Sequence, residues 1–511
     1  MKKQYLLLAT GLAFYACQPT QELTITKADQ PMSVEAIDGF INKKLQEQGK
    51  FLWESASDEM VWSALKRSDQ VLSVGFKPEK LDKDLSKIIH QIDLNQQDWA
   101  NAKERVLELI FDEERRTNPE LKREDLFVFE EDVLPVMSVK VQNLSTLKKL
   151  RASAFVRYAE PMGYEPNNAS NRAKVAAGSG CGGYNAANDL VAGVDYNNTS
   201  PSAKTSWHHT FHGVAQAWTK STGAGVKILV IDTGASPTQD NLGSAFNQGN
   251  SSGRTIEKIV KLPKAWPWSP AETPNDDCGH GTTMAGVAAA PRGTDGQAVG
   301  IAYNASLVTC RSVADVMIDE SREVKGVSDA LKLAGDRTDI KIVSMSLGRI
   351  TSSSQLSDAV KYAYNKGKLI FCAAGTSFGW SAGWWGVIFP AWMPEVQAVT
   401  GVKDLANDVA CDDCHKGSEV DFVVVMERST TGRHILTLPT ENSNTPATVG
   451  GSSASTSSMA GMAALVWSRF PSLTRDQVVS KLASSASYYP NRNSNFGWGR
   501  VNVDAATNSG I

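Results

Sequence analysis

Short apolar runs alternate with helix-period segments through the second half of the chain. The runs are VKILVID (226–232), ASLVTCRSV (305–313), IKIVSMSLG (340–348), KLIFCAAG (368–375), VQAVTGV (396–402) and EVDFVVV (419–425). Segments with a helical spacing of apolar residues lie between several of them: TTMAGVAAA, GVSDALKLAG and SQLSDAVKYAYNKG. Nearly continuous apolar strands separated by helices are typical of a parallel sheet covered by helices on both faces. The pattern therefore predicts an α/β fold from about residue 205 onward.

The region from about residue 33 to 165 has a different pattern, with many charged residues and both helix and strand periods. DWANAKERVLELIFDEE has a helical period, whereas VLSVGF and PVMSVKV are strand-like. The order helix, strand, helix, strand, strand, helix, strand predicts a small α+β module. A segment rich in Asn, Ala, Ser and Gly follows it. We predict the module at 33–168, a linker and N-terminal extension at 169–204, and a second domain at 205–511.

The N-terminus has the features of an export signal. Lys2 and Lys3 precede an apolar stretch that ends at Ala16 and is too short to span a bilayer. The signal ends at Cys17, and the stretch resembles a bacterial lipoprotein signal. This implies a signal peptide at 1–17, lipidation of Cys17, a tether at 18–32 and attachment to a membrane of the cell envelope. The alternative is a plain signal peptide and a secreted protein.

Charge and cysteine content narrow the possible functions. The net charge of −3 and the absence of a long basic block argue against a nucleic-acid partner. Export into an oxidising compartment allows disulfides among the six cysteines after the signal, which are Cys181, Cys278, Cys310, Cys372, Cys411 and Cys414. The last two could close a small loop, but the sequence does not choose among the pairings. A zinc or redox role lacks a matching second site in the sequence.

Three chemically active residues stand where elements of the predicted sheet meet loops. Asp232 ends a strand, His280 lies between two glycines before a helix of small residues, and Ser453 lies in GSSASTSSMAGMAAL, just before another helix. In parallel α/β sheets, ligand-binding and catalytic residues lie at the carboxyl ends of the strands. A serine becomes a nucleophile when a histidine takes its proton and an acid orients that histidine. The structural alternatives are a turn for Asp232, packing for His280 and a small polar turn for the serines.

Over roughly residues 205–507 the sequence resembles the subtilisin-like serine proteases. The motifs that carry the resemblance, in order, are IDTG, GHGT, AVGIAYNASL, SMSLG, FPAWMPEVQAVTGV, GSSAS followed by AG, and FGWGRVNVDAA. The family implies an endopeptidase that hydrolyses polypeptide substrates through an acyl-enzyme and requires no cofactor. In that role Ser453 is the nucleophile, His280 is the general base and acid, and Asp232 orients the imidazole. The other serines of the run, Ser452, Ser455, Ser457 and Ser458, are then helix-entry and packing residues.

The segment FCAAGTSFG departs from the family at an oxyanion-binding position. The family usually has asparagine after Ala-Ala-Gly, whereas this chain has Thr376. Removal of that asparagine in subtilisin lowers turnover by about 10²–10³. Three outcomes are open: the hydroxyl of Thr376 substitutes, Ser377 or a water does, or the enzyme is slow.

The resemblance also implies how substrate binds. Ser346, Leu347 and Gly348 match the segment that lines the cleft and pairs with substrate backbone by strand addition. Ala374 and Gly375 should border the first side-chain pocket. These segments contain no acid, so we expect an apolar P1 residue, a preference that Arg349 could alter.

Two further groups of residues have open assignments. Five tryptophans near the candidate site residues could either rim the cleft or pack in the core. They are Trp266, Trp268, Trp380, Trp384 and Trp385. Oxygen-bearing side chains lie near loops where some relatives bind structural calcium, and they are Asp240, Asn241 and Asp295. We leave calcium as an open expectation.

The end of the module, SAFVRYAEPMGYEP, resembles the last strand of the family's inhibitory propeptides. This implies a zymogen whose own propeptide is an intramolecular inhibitor, removed by self-processing between Gly163 and Gly182. The alternative is a permanent accessory domain. Two rival functions remain: a catalytically impaired binding protein, suggested by Thr376, and a transpeptidase or macrocyclase, which requires a cleft shielded from water.

Overall fold

The computed structural model describes residues 30–81, 83–166, 180–376 and 386–508. No helix within these ranges has the length and apolar character needed to cross a membrane. Several residues singled out above lie outside the described ranges: Cys17, Ser377, Trp380, Trp384 and Trp385.

The N-terminal module is a four-stranded antiparallel sheet with accompanying helices. Its elements are α1 (Val34–Gln48), α2 (Asp58–Arg67), β1 (Val71–Phe76), α3 (Leu85–Ile88), α4 (Gln97–Arg115), β2 (Phe127–Phe129), β3 (Val136–Lys140), α5 (Leu144–Ala152) and β4 (Val156–Pro161). The strand order β2-β3-β1-β4 is that of a ferredoxin-like fold. The predicted α+β module is therefore confirmed as a fold.

The second part of the chain contains the remaining elements. They are β5 (Tyr196–Thr199), β6 (Ala203–Ser206), α6 (Val214–Ala217), β7 (Lys227–Asp232), β8 (Ile256–Val260), α7 (His280–Ala289), β9 (Ser306–Arg311), α8 (Ser321–Asp336), β10 (Ile340–Met345), α9 (Ser354–Asn365), β11 (Leu369–Ala373), β12 (Gln397–Lys403), β13 (Val420–Glu427), β14 (Ile435–Thr437), β15 (Ala447–Val449), α10 (Gly451–Arg469), α11 (Arg475–Ser484) and α12 (Val503–Ala506).

Seven of these strands form one parallel sheet in the order β13-β12-β11-β10-β7-β9-β8. The predicted α/β fold is confirmed, and each of the six apolar runs forms one strand. The sequence pattern missed β8, because IEKIV mixes charged and apolar residues and every residue is only half-buried. That composition suits a strand at the edge of a sheet.

Helix ends and close packing follow from local sequence. Four helices begin after a hydroxyl side chain that accepts an N–H of the first turn, and these residues are Ser33, Ser57, Ser353 and Thr474. The small residues of α7 and α10 let the two helices pack against each other. A Cβ on Gly461 of α10 would lie only 2.6 Å from Ile301 Cβ, so glycine is required there.

Two disulfides are present among the described residues, Cys181–Cys278 and Cys411–Cys414. The second confirms the small loop expected from CDDC. Cys310 and Cys372 are buried free thiols.

Candidate active site

Asp232 and His280 form a buried pair at the carboxyl edge of the sheet. Asp232 ends β7, His280 begins α7, and the distance from His280 Nδ1 to Asp232 Oδ1 is 2.8 Å. Because a carboxylate only accepts hydrogen bonds, the imidazole donates through Nδ1 and keeps Nε2 free as a base. Burial alone would lower the pKa of His280, but the charge and hydrogen bond of Asp232, together with the charges of Asp276 and Asp315, raise it.

Asp276 holds the loop that carries the histidine, and the sequence reasoning missed it. Its carboxylate accepts hydrogen bonds from the backbone N–H groups of Cys278 (3.2 Å), Gly279 (2.6 Å) and Thr282 (2.7 Å). It also accepts from the hydroxyls of Thr282 (2.6 Å) and Thr233 (2.8 Å). The signal was present in NDDCGHGT, since an acid just before a helix commonly satisfies the free N–H groups of its first turn.

Ser453 lies inside the first turn of α10. We expected the helix to begin after this serine, but it begins at Gly451, whose φ is +79°. Ser453 is partly exposed, whereas Ser452 and Ala454 on either side of it are fully buried. The first N–H groups of a helix lack intrahelical partners and lie at its positive end. An oxyanion formed at Ser453 would meet these groups.

The expected hydrogen bond between Ser453 and His280 is not formed in the described part of the chain. The Ser453 hydroxyl instead donates to the carbonyl oxygen of Ser346 at 3.4 Å, and the Ser346 hydroxyl donates to the carbonyl of Ser453 at 2.9 Å. The structure thus joins Asp232 to His280 by a hydrogen bond, whereas the Ser453 hydroxyl is bonded to Ser346 instead of His280. Such bonds are often loose in free enzymes and tighten when substrate binds.

Thr376 lies at the start of α10, next to the candidate nucleophile. Its Oγ1 accepts a hydrogen bond from the Ser452 backbone N–H at 3.2 Å and lies 2.8 Å from Ser452 Oγ. The preceding Gly375 has φ +125°, and a Cβ there would lie 2.4 Å from His415 Nδ1. Glycine is therefore required between the buried Ala374 and Thr376.

The segment expected to bind substrate backbone is already paired within the chain. The Gly348 N–H donates to Val316 O at 3.2 Å, and the Ile318 N–H donates to Gly348 O at 3.0 Å. Ser346 and Leu347 are buried. An extended peptide that used Gly348 for strand addition would first have to displace Val316 and Ile318.

Arg349, which could alter the P1 preference, lies against the N-terminal module in this structure. It is completely buried, forms an ion pair with Glu165 at 2.8 Å and donates to Met162 O and Tyr164 O, both at 3.0 Å. All three partners belong to the N-terminal module. Arg349 therefore binds the end of the module, because a buried guanidinium requires a carboxylate and several acceptors.

The structure describes two of the five tryptophans and the three residues considered for calcium. Trp266 and Trp268 are 63% and 83% exposed and stack on each other, so core packing is wrong for these two. Asp295 Oδ2 accepts hydrogen bonds from the side-chain amides of Asn241 (2.8 Å) and Gln248 (2.9 Å). A cation bound by this carboxylate would need the same oxygen. Among the described residues, no group of three or more His, Cys, Asp or Glu is placed to hold a metal ion. Calcium binding therefore stays a prediction.

The segment from residue 180 onward contacts the histidine loop. The disulfide Cys181–Cys278 joins the two, and Gly182 N–H donates to Cys278 O at 2.9 Å. The ring of Tyr184 lies edge-on to His280, with centroids 6.3 Å apart. The sequence could not reveal this contact, because the paired cysteines are 97 residues apart.

The chain is similar to several known proteins. The family model described as "Subtilase family" matches residues 223–499. Subtilisin DY from Bacillus licheniformis is 29% identical over 56% of this chain and 91% of its own length. Thermitase from Thermoactinomyces vulgaris is 28% identical over 56% of this chain and 90% of its own. Among solved structures, MycP1 from Mycobacterium smegmatis is 21% identical with a TM-score of 0.46, covering 62% of this chain and 88% of that chain. Because the family match spans more than half of the sequence, the chain belongs to the subtilase family of serine-type peptidases.

Proposed function

We propose that the protein is an exported serine endopeptidase that acts through an acyl-enzyme on Ser453 and is made as a self-processing zymogen. The observation that carries the proposal is the buried Asp232–His280 pair, 2.8 Å apart, in a subtilase-family chain. The partly exposed Ser453, in the first turn of α10, supplies the nucleophile.

The chemistry follows from these groups. Ser453 Oγ attacks the peptide carbonyl while its proton passes to His280 Nε2, and the carbonyl oxygen becomes an oxyanion held by the Ser453 N–H and the Thr376 hydroxyl. The tetrahedral intermediate collapses as His280 gives the proton to the leaving amine. Water, deprotonated by the same imidazole, then attacks the acyl-enzyme and releases the acid product and the free serine.

A fluorophosphonate probe tests the enzymatic claim. Mature wild-type protein should be labelled with one equivalent, and Ser453→Ala should be unlabelled with kcat lowered by about 10⁶, as expected for loss of the nucleophile. Ser457→Ala is the matched control, because this buried serine lies one turn further along α10. Wild-type protein that is never labelled would end the enzyme proposal.

The way the module docks supports a propeptide. Asp69 accepts hydrogen bonds from the Ser321 N–H (3.0 Å) and hydroxyl (2.8 Å) at the start of α8. Glu160 accepts in the same way from Ser354 at the start of α9. Each carboxylate therefore meets the positive end of a helix and satisfies a free N–H group.

The end of the module lies beside the segment that we propose for substrate binding. The Glu165 carboxylate accepts from the backbone of Ile350 (2.8 Å) and pairs with Arg349, immediately after Gly348. At the other edge of the contact, Arg157 pairs with Asp358 at 2.6 Å. A chain that leaves the module after Glu165 starts next to the proposed substrate-binding segment, as an inhibitory tail must.

Full-length Ser453→Ala tests self-processing. When expressed alone, it should accumulate uncut, near full length less the signal, whereas the wild type should lose the module. Adding a trace of active wild-type enzyme should cut the variant and so show that its cleavage site is accessible. If Ser453→Ala matures without added enzyme, self-processing is wrong.

We also propose that lipidation of Cys17 holds the enzyme at the cell envelope. The support is the signal sequence alone. Wild-type protein should fractionate with membranes and incorporate labelled fatty acid, and Cys17→Ser should do neither. A wild-type protein found free of the membrane would favour simple secretion.

A catalytically impaired binding protein is the second candidate. Thr376 at the asparagine position and the absent hydrogen bond between Ser453 and His280 favour it. The fluorophosphonate experiment separates the two candidates directly.

A further inference from the structure

We propose that Ser452 is a positioning residue that makes Thr376 an oxyanion donor. This inference rests on the proposed peptidase function. Ser452 directly precedes the candidate nucleophile and is completely buried at the start of α10, whereas Thr376 is partly exposed, three residues after β11 ends.

Three hydrogen bonds join Ser452 to the segment that carries Thr376. The Gly375 N–H donates to Ser452 Oγ at 3.3 Å, and the Ser452 N–H donates to Thr376 Oγ1 at 3.2 Å. The two hydroxyl oxygens are 2.8 Å apart and share a third hydrogen bond that either oxygen could donate.

Burial decides which hydroxyl donates. If Thr376 donated, the proton of Ser452 would be left without an acceptor in a fully buried position, which is unfavourable because a buried donor loses its hydrogen bond to water. If Ser452 donates, its oxygen still accepts from Gly375 and its proton is used. The unused proton then lies on Thr376, the more exposed of the two groups.

In this arrangement Thr376 Oγ1 accepts two hydrogen bonds and has one proton left to donate. Both accepted bonds fix its hydroxyl at the start of α10, where the backbone N–H of Ser453 is also free of an intrahelical partner. Accepting hydrogen bonds also polarises a hydroxyl and makes it a better donor. The shorter threonine side chain is thus held and activated by a neighbour, in place of the longer asparagine amide usual in the family.

Glycine at position 451 leaves the room this pair needs. A Cβ there would lie 3.0 Å from Thr376 Oγ1 and 3.3 Å from Thr376 Cγ2, and the backbone has φ +79°. A larger residue at Gly451 would press on the threonine hydroxyl and adopt an unfavourable conformation.

A double-mutant cycle tests the assignment. With a tetrapeptide nitroanilide that has an apolar P1 residue, Thr376→Val should lower kcat about 10²-fold, within the range known for lost oxyanion donors. Ser452→Ala should lower kcat about tenfold, with KM changed by less than about twofold. Because Ser452 acts through Thr376, adding Ser452→Ala to Thr376→Val should lower kcat no further.

Active-site titration with a fluorophosphonate sets the enzyme concentration, so misfolded protein does not enter kcat. Thr376→Asn should make kcat insensitive to Ser452→Ala, because an amide donates without help from a hydroxyl. The assignment is overturned if Ser452→Ala leaves kcat unchanged, or lowers it equally in the wild type and in Thr376→Val. Wild type that is not labelled overturns the peptidase proposal, and this assignment with it.

Discussion

The Asp232 carboxylate controls the proton affinity of His280. The imidazole must be neutral to accept the serine proton. Burial lowers its pKa, but the charge and hydrogen bond of Asp232, together with the charges of Asp276 and Asp315, raise it above 6.5. Activity is therefore lost as pH falls through a value above 6.5. We expect kcat/KM to show an acidic limb there, measured on the mature enzyme across pH 5–9.

Asp232→Asn should move that limb to lower pH. Without the carboxylate charge, burial dominates and lowers the pKa of His280, while kcat falls by about 10⁴, as for the same change in another serine protease. Asp315→Asn is a matched control, because Asp315 contributes least among the charges that raise this pKa. An unmoved limb in Asp232→Asn would mean that the acidic limb does not report His280.

Single residues differed in how well the sequence revealed them. Asp232 and His280 were predictable because each ends or begins an element beside a short motif. The role of Ser452 was not, because it depends on contacts with Gly375 and Thr376, about 76 positions away along the chain. The orientation of the Ser453 hydroxyl toward Ser346 is likewise a tertiary property.

At the scale of elements, the residues after β9 form backbone hydrogen bonds with the segment after β10. Val316 and Ile318 occupy both backbone hydrogen-bonding groups of Gly348. A peptide that pairs with Gly348 exchanges two existing hydrogen bonds for two new ones, each worth about 1 kcal/mol, so the net gain is near zero.

Substrate length should therefore matter little on this side of the cleft. Lengthening a nitroanilide from two to four residues before the scissile bond should raise kcat/KM by less than about tenfold, equivalent to about 1.4 kcal/mol. A gain of several hundredfold would show that Gly348 is free to pair in solution.

The elements themselves were largely predictable because a buried parallel strand is apolar at nearly every position. The six strands with that composition were found, and β8 was missed because it mixes in charged residues. The start of α10 was misplaced by three residues, since serines suit both a turn and the first turn of a helix.

For the whole molecule, the disulfide Cys181–Cys278 would limit where the proposed self-processing releases the module. Met162, Tyr164 and Glu165 contact Arg349, and Cys181 and Gly182 are bonded to Cys278 of the histidine loop. A cut after Cys181 would leave the module attached through the disulfide. We therefore expect the cut between Pro166 and Gly180.

Mass measurement without reductant checks this location. The mature chain should begin before Cys181 and should separate from the module with its disulfide intact. A module that leaves only after reduction would place the cut on the other side of Cys181.

The stability of the whole molecule should depend on keeping three histidines neutral. His208, His209 and His212 lie in the 3₁₀ turn Trp207–His212 and are completely buried. Burial lowers the pKa of all three, to about 3 for His209 and about 4 for His212. His212 Nε2 accepts from the Val425 N–H at 3.0 Å, so a second ring proton has no acceptor there.

Acid should therefore unfold the protein. Unfolded histidines take up protons below pH 6.5 while the folded ones do not, so stability is present above 6.5 and falls as pH drops, by about 1.4 kcal/mol per histidine at pH 5.5. Urea unfolding of Ser453→Ala, followed by tryptophan fluorescence, should show this loss between pH 7 and 5.

Adding His209→Phe should keep the ring against Trp218 and reduce the pH dependence by one proton. Unchanged pH dependence in that variant would place the acid sensitivity outside this cluster, because the substitution removes one of its three titrating groups.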